Sequence, residues 1–175
     1  QYNEVFVNTL KEVHQIYGPF FEQWFDGACG EGPNGRKQEY DWPLFNNTVA
    51  QLNPNAVIFS DVGPGCRWVG NERGYADETN WSPITIANGA RSTDKAPCGM
   101  QNGAAWIPAE VDVSIRPGWF WHANEHPKSV EELMEIYFNS VGRNGLLLLN
   151  VPPDARGLIP AEDSLRLVEF RAERD

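Results

Sequence analysis

The sequence predicts an α/β fold of parallel strands joined by helical crossovers, a partial (β/α)8 TIM-like barrel. Three observations predict it. Helix-spaced and continuous apolar runs alternate along the chain in the order α-β-α-β-loop-β-α-β-α. Residues 56–61 and 145–151 are apolar almost throughout, the pattern of strands buried on both faces. No G-x-G-x-x-G follows a strand, which disfavours the rival, a small doubly wound sheet with its ligand in a Gly-rich first turn. A complete barrel needs eight strands and about 250 residues. With four such strands visible in 175 residues, the chain reads as a piece of one.

Each element follows from local pattern. Tyr2, Val5, Phe6, Leu10, Val13, Ile16 and Tyr17 recur at helical spacing until Gly18-Pro19, predicting a helix over 2–17. Residues 20–26 read as a short strand and 27–38 as a polar, Gly-rich loop. Tyr40, Trp42, Leu44, Phe45, Val49 and Leu52 return to helical spacing, and Asn53-Pro54 ends that helix. The run 56–61 is a strand ending in an acid. Residues 62–105 are rich in glycine, show no period and are too long for a mere connector, so function is expected there. Residues 106–116 look strand-like. Ser129-Val130-Glu131-Glu132 is a capping box opening a helix that carries Leu133, Ile136, Tyr137 and Val141, and Gly142 closes it. Residues 145–151 form the last strand, and a final helix after Pro160 is expected to face Leu165, Val168 and Phe170 inward.

Composition narrows the function. At 41% hydrophobic and 12% aromatic residues the chain can build one ordinary core. With 24 Asp+Glu against 14 Lys+Arg the net charge is −10, which argues against nucleic acid or an anionic membrane as partner. No apolar stretch approaches the roughly 18 residues of a membrane span. Gln1 opens the chain, so processing or a cut is expected there and secretion stays open. Cys29, Cys66 and Cys98 are an odd set without Cys-x-x-Cys spacing and read as incidental or buried thiols. Asn46-Asn47-Thr48 and Asn80-Trp81-Ser82 fit the short glycosylation pattern.

In either architecture ligand groups belong at C-terminal strand ends, here Asp26, Asp61, Arg116 and Asn150. Trp24-Phe25-Asp26-Gly27 sets an acid beside an indole and before a glycine that lets backbone approach a ligand. An aromatic surface suits the apolar face of a sugar, and the carboxylate is placed to attack an anomeric carbon. The alternative is an Asp capping the next turn and a Trp filling the core. Glycosidic cleavage needs a second carboxyl group, and the candidates are Asp61, Glu72, Asp77, Glu78 and Glu110. Glu72 lies between glycines in Arg67-Trp68-Val69-Gly70-Asn71-Glu72-Arg73-Gly74, where a loop can carry it over a site; an exposed loop acid is the alternative. His122-Ala123-Asn124-Glu125-His126 fits H-x-x-E-H, yet Pro127 disfavours helix at His126, so no metal is expected. No nucleophile elbow and no phosphate loop occurs, and His14 reads as a surface or core residue.

Five blocks, residues 24–35, 57–64, 67–72, 112–120 and 147–154, together resemble the α-L-fucosidases of glycoside hydrolase family 29. The Gly-rich continuation after Trp24-Phe25-Asp26-Gly27 and the Gly70-Asn71-Glu72 segment resemble the subgroup acting on α-1,3/1,4-linked fucose. The resemblance implies the second half of a (β/α)8-like catalytic domain over 1–175 and a retaining double displacement without cofactor. It implies Asp26 as nucleophile at the end of the fourth strand and Glu72 as acid/base. Trp24 and Trp119 are expected to wall the apolar pocket for the fucose methyl. Arg67 and Arg116 are expected to hold hydroxyls or orient Asp26, with structural ion pairs as their alternative. Asp61 is expected to orient a neighbour, and Trp68 or Glu31 to touch the aglycone sugars. The implied partner is a fucosylated oligosaccharide or glycoconjugate, in a secreted, periplasmic or lysosome-like setting. Nothing here matches the family's first three strands with their fucose-binding histidines and tryptophan. The expectation is therefore an incomplete domain with exposed apolar strand edges, whose activity belongs to the parent enzyme. A non-catalytic sugar-binding or structural remnant is the alternative.

Overall fold

Among the described residues the helix-linked strands pair in parallel ladders, so the α/β partial-barrel class read from the sequence is the class observed. The computed structural model describes residues 1–26, 34–61, 63–85 and 98–175. The chain divides into two compact units, Gln1–Cys66 and Arg67–Asp175.

In the first unit, α1 (Tyr2–Tyr17) buries Val7, Leu10 and His14, residues three and four apart on one face. It ends where the N–H of Gly18 bonds to the His14 carbonyl; a Cβ at Gly18 would stand 2.5 Å from that oxygen, so glycine alone fits. β1 (Glu22–Trp24) is shorter than the 20–26 run expected, and pairs in parallel with β2 (Val57–Ser60), Trp24 opposite Phe59. The crossover is α2 (Trp42–Leu52), capped by Asp41, whose carboxylate accepts from the Leu44 N–H, with Pro43 in the first turn. Asn53, just past its end, donates Nδ2 to the Phe20 carbonyl at 2.6 Å and ties helix to strand. Val7, Leu10, Phe25, Phe45, Val49 and Ile58 form the core, with Phe6, Tyr40 and Trp42 against it. Each such side chain contributes about 1.5–3 kcal/mol by leaving water.

β3 (Cys66–Trp68) starts at the last residue of the first unit. The second unit continues with β4 (Pro83–Ile84), β5 (Ala105–Trp106), β6 (Ala109–Ser114), α3 (Val130–Ser140), β7 (Leu146–Asn150) and α4 (Ala161–Arg174). Among the described residues five strands lie in parallel ladders, one more than the sequence reading counted. The extra strand, β3, is three residues long between glycines, too short to show a period. The single strand expected over 106–116 is two. β5 pairs antiparallel with β4, whereas β6 pairs in parallel with β3 and β7. Pro108 is the switch point. It has no N–H to extend the first ladder, and its carbonyl accepts from the Arg67 N–H, while Ile107 still donates to Ser82.

All six residues of β6 are buried, and they alternate. Ala109 and Val111 pack with Val69 and Ala76, and Val113 packs with Ile115, Leu133 and Ile136. Glu110, Asp112 and Ser114 face the other way, in register with Leu146, Leu148 and Asn150. α3 opens on the expected capping box: Ser129 Oγ accepts from the Glu132 N–H, and the Ser129 N–H donates to Glu132 Oε2 at 2.7 Å. That backbone bond holds the Glu132 carboxyl below the usual carboxylate range.

α4 corrects one expectation. Leu165 and Val168 are 59% and 66% exposed, and Leu167 packs on the core in their place, beside Phe170, which faces inward as expected. The helix is rotated by its first turn. Asp163 is fully buried and accepts from Arg116 Nε at 2.8 Å and Nη2 at 2.6 Å. With Asp163 fixed inward, Leu167 and Phe170 follow at i+4 and i+7 on the same face.

Removing one partner of this pair strands a buried charge. Asp163→Ala is expected to cost about 3–5 kcal/mol, and replacing both residues by apolar ones to cost much less. Urea unfolding of the protein carrying this chain checks it, and an unmoved midpoint in Asp163→Ala removes the pair as an anchor. The buried Asn80 commits both amide hydrogens, Nδ2 donating to the Arg143 and Asn144 carbonyls at 3.0 and 3.1 Å. A glycan on that nitrogen would break one of these bonds. Asn80 is therefore expected to stay unmodified when the protein is made in a glycosylating host, as peptide mass spectrometry would read.

Candidate active site

At the rim of the first unit, Trp24 stacks flat on Phe59, centroids 4.3 Å apart and planes 3° from parallel. The Phe25 N–H donates to the Phe59 carbonyl at 3.1 Å, and the Phe25 ring is buried in the core. With Phe25 turned in, the next residue, Asp26, is exposed. Asp61 lies just past β2 and is half-buried. Asp26 and Asp61 each lie two residues beyond the Trp24–Phe59 register pair, so the two acids end neighbouring strands in step. Cys29, Glu31, Gly27, Gly30 and Gly32 lie outside the described residues.

In the second unit Glu72 stands exposed on a tight turn. Gly70 and Gly74 flank it at φ +94° and +87°, a backbone region that other residues enter only with strain. Asn71 braces the turn from within. Its Oδ1 accepts from the Arg73 N–H at 3.0 Å, and its Nδ2 donates to the Tyr75 carbonyl at 2.9 Å. Trp119 meets Glu72, its Nε1 donating to Glu72 Oε2 at 3.2 Å. The Trp119 carbonyl accepts from Asn150 Nδ2 at 3.1 Å, and the same nitrogen donates to Ser114 Oγ at 3.0 Å. Trp68 lies opposite Glu110 and donates Nε1 to Asp112 Oδ1 at 2.7 Å. Trp68, Asp112, Ser114 and Asn150 thus share the polar face of the sheet, whose rim carries Trp119 and Glu72.

The two arginines lie elsewhere. Arg67 pairs with Ala109 on the apolar face and is fully buried. Its Nη2 donates to the Trp81 carbonyl at 2.9 Å and lies 3.4 Å from Asn80 Oδ1, pinning the long loop to β3. Its Nε and Nη1 have no hydrogen-bond partner among the described residues. Burial pulls this guanidinium below its ordinary pKa, partly opposed by Cys98. Arg116 uses Nε and Nη2 on Asp163 and Nη1 on the Glu125 carbonyl, the ion-pair arrangement left open by the sequence; hydrogen bonding to Asp163 raises its pKa. His122–His126 contains no helix, and His126 Nδ1 lies 3.0 Å from Glu162. Cys66 is buried, and Cys98 is a half-buried free thiol.

Sequence reasoning missed Asp112 and Ser114, and it noted Asn150 only as a strand end. The period-two alternation Glu110, Asp112, Ser114 inside an apolar strand was the available signal, because polar residues at one-face spacing in a buried strand must meet partners.

The family model described as Alpha-L-fucosidase matches residues 1–171. Alpha-L-fucosidase 1 of Arabidopsis thaliana is 48% identical over 174 residues, covering 97% of this chain and 34% of that protein. The SpGH29 crystal structure superposes with a TM-score of 0.88 at 40% identity, over 99% of this chain and 40% of that one. A Ruminococcus gnavus GH29 fucosidase solved in complex with fucose gives 0.85 at 35% identity, over 97% of this chain and 37% of that one. The chain spans about a third of the length of the curated relatives it matches.

Proposed function

This chain belongs to the alpha-L-fucosidase family, and from that premise we propose that the protein carrying it is a retaining exo-α-L-fucosidase acting on α-1,3/1,4-linked fucose in oligosaccharides or glycoconjugates. The family match across residues 1–171 carries the reading, and a relative with fucose bound supports the substrate class. The subgroup rests on the Gly70-Asn71-Glu72 segment and the Gly-rich run after Asp26.

The proposed chemistry uses two carboxyl groups. The Asp26 carboxylate attacks C1 of fucose as the C1–O bond to the aglycone breaks, and protonated Glu72 gives its hydrogen to the departing oxygen. The ionised Glu72 then takes a proton from water, the water oxygen bonds to C1, and the ester bond to Asp26 breaks. Two inversions return the starting configuration. Such a pair works at a carboxyl separation of about 5–5.5 Å. Exposure of both acids in their own units and their places at a strand end and on a glycine-bounded turn fit these roles. Trp24 and Trp119 offer flat apolar surface for the sugar's methyl side, and Asp61 is the neighbour in step with Asp26. We assign Trp68 to the sugar-facing polar side, and Arg67 to holding the long loop that carries Glu72.

Asp26→Ala in the whole protein is expected to lower fucose release at least about a thousandfold, with azide restoring turnover as a fucosyl azide. Full activity in that variant removes Asp26 as nucleophile. Glu72→Gln is expected to lose about 10²–10⁴-fold on substrates with a sugar leaving group and far less on activated aryl fucosides. Equal losses on the two classes would assign the proton to another group.

A further inference from the structure

Resting on the reading of Glu72 as acid/base, we infer that Trp119 and Asn150 are positioning residues that brace the Glu72 carboxyl group and select which of its oxygens carries the proton. The glycine-bounded turn fixes the Glu72 backbone but leaves its side-chain torsions free, and the residue is exposed. A proton donor displaced by about 1 Å loses of the order of a hundredfold in rate. Something beyond the turn must therefore hold the carboxyl group. The contact that does so is the Trp119 indole, 3.2 Å from Oε2.

Indole nitrogen donates and cannot accept. Glu72 Oε2 is thus the accepting oxygen in both protonation states, and in the acid form the hydrogen resides on Oε1. One oxygen is tethered and the other is left to exchange the proton, which removes the two-fold ambiguity of a freely turning carboxyl group.

The backbone that carries the indole is in turn fixed by the sheet. Ser114 and Asn150 are register partners at the C-terminal ends of β6 and β7. Asn150 Nδ2 spans from Ser114 Oγ to the Trp119 carbonyl, so one side-chain amide ties the Trp119 loop to two strand ends. The loop's base is closed by Lys128, whose N–H bonds to the Ile115 carbonyl and whose Nζ donates to the Ser114 and Arg116 carbonyls. The connection runs from sheet to Asn150, to the Trp119 backbone, to the indole and to Glu72. The side-chain hydrogen bonds of Asn150 go to Ser114 and to the Trp119 backbone, so it acts on Glu72 through Trp119.

The test uses the whole protein, a fucosylated trisaccharide and an aryl fucoside whose phenol needs little protonation. Trp119→Phe keeps an aromatic face and removes the N–H; Asn150→Asp keeps the shape and removes both donated bonds. Each is expected to lower kcat on the trisaccharide about 10- to 100-fold with KM within about 2-fold, and to cost the aryl fucoside several times less. In a Glu72→Ala background Trp119→Phe should add nothing, because the group it braces is gone. Circular dichroism confirms that each variant is folded, and Asn150→Asp reports on the brace if Trp119→Phe does not fold. Equal losses on both substrates, a loss confined to KM, or full additivity with Glu72→Ala each overturn the inference. If Glu72→Ala itself shows no leaving-group dependence, the acid/base reading falls and the brace with it. A selective Glu72→Ala beside a silent Trp119→Phe defeats the brace alone.

Discussion

A strand buried on both faces has to satisfy two incompatible surroundings at once, and β6 does so by alternation. Ala109, Val111 and Val113 lie among aliphatic side chains, while Asp112 and Ser114 are equally buried on the opposite face. A polar group left unpaired there costs about 2–7 kcal/mol. Asp112 accepts from the Trp68 indole, and Ser114 Oγ accepts from Asn150 and from the Arg116 N–H. These bonds fix the register and leave a polar row that ends at the rim. The same pairing that makes the strand tolerable in the interior delivers Asn150 and Ser114 to the place where the Trp119 loop departs.

The loop from Ile115 to Lys128 inherits its order from two sides. Arg116 turns away from the rim to Asp163, and this bidentate pair also decides which face of α4 meets the core. Lys128 brings the chain back by bonding to carbonyls at the end of β6, and its partial burial lowers its pKa from the ordinary lysine value. With both feet of the loop held, the tie from Asn150 to the Trp119 carbonyl places the backbone from which the ring projects. An ion pair at the back of the sheet and a hydrogen bond at its rim therefore belong to one arrangement.

Much of this was legible in the residues, for identifiable reasons. α1, α2 and α3 carry helical spacing together with a local stop or cap, Gly18-Pro19, Asn53-Pro54 and Ser129, and both kinds of information are encoded within a few positions. Asp26 and Glu72 were legible as strand-end and glycine-flanked loop acids. The rotation of α4 was not. Leu165 and Val168 are as apolar as Leu167, and the choice between them is made by Arg116, 47 residues before Asp163. The breaking of the run 106–116 was hidden for a similar reason. Pro108 marks a change of partner strand only once Arg67 and Ser82 are known to lie beside it. Arg67, read in a loop, and Arg116, read at a strand end, were both expected to hold hydroxyls or orient Asp26, yet sheet alternation takes one to the apolar face and a buried aspartate takes the other. Sequence spacing encodes periodicity, whereas these outcomes depend on pairings between distant segments.

The indole of Trp119 carries two roles at once. A hydrogen bond to Glu72 uses only the ring's N–H edge, in the ring plane. The two faces of the ring stay clear of that bond, and a sugar's apolar side packs against a face. Under the proposed function, edge and face then act together. A fucose seated on the ring is referred to the same rigid body that holds the proton donor, so binding and proton transfer share one frame. A phenyl ring would keep the face and lose the edge, which makes recognition of the sugar separable from placement of the acid. That separability distinguishes a ring that merely lines a pocket from one that also sets where the hydrogen is delivered.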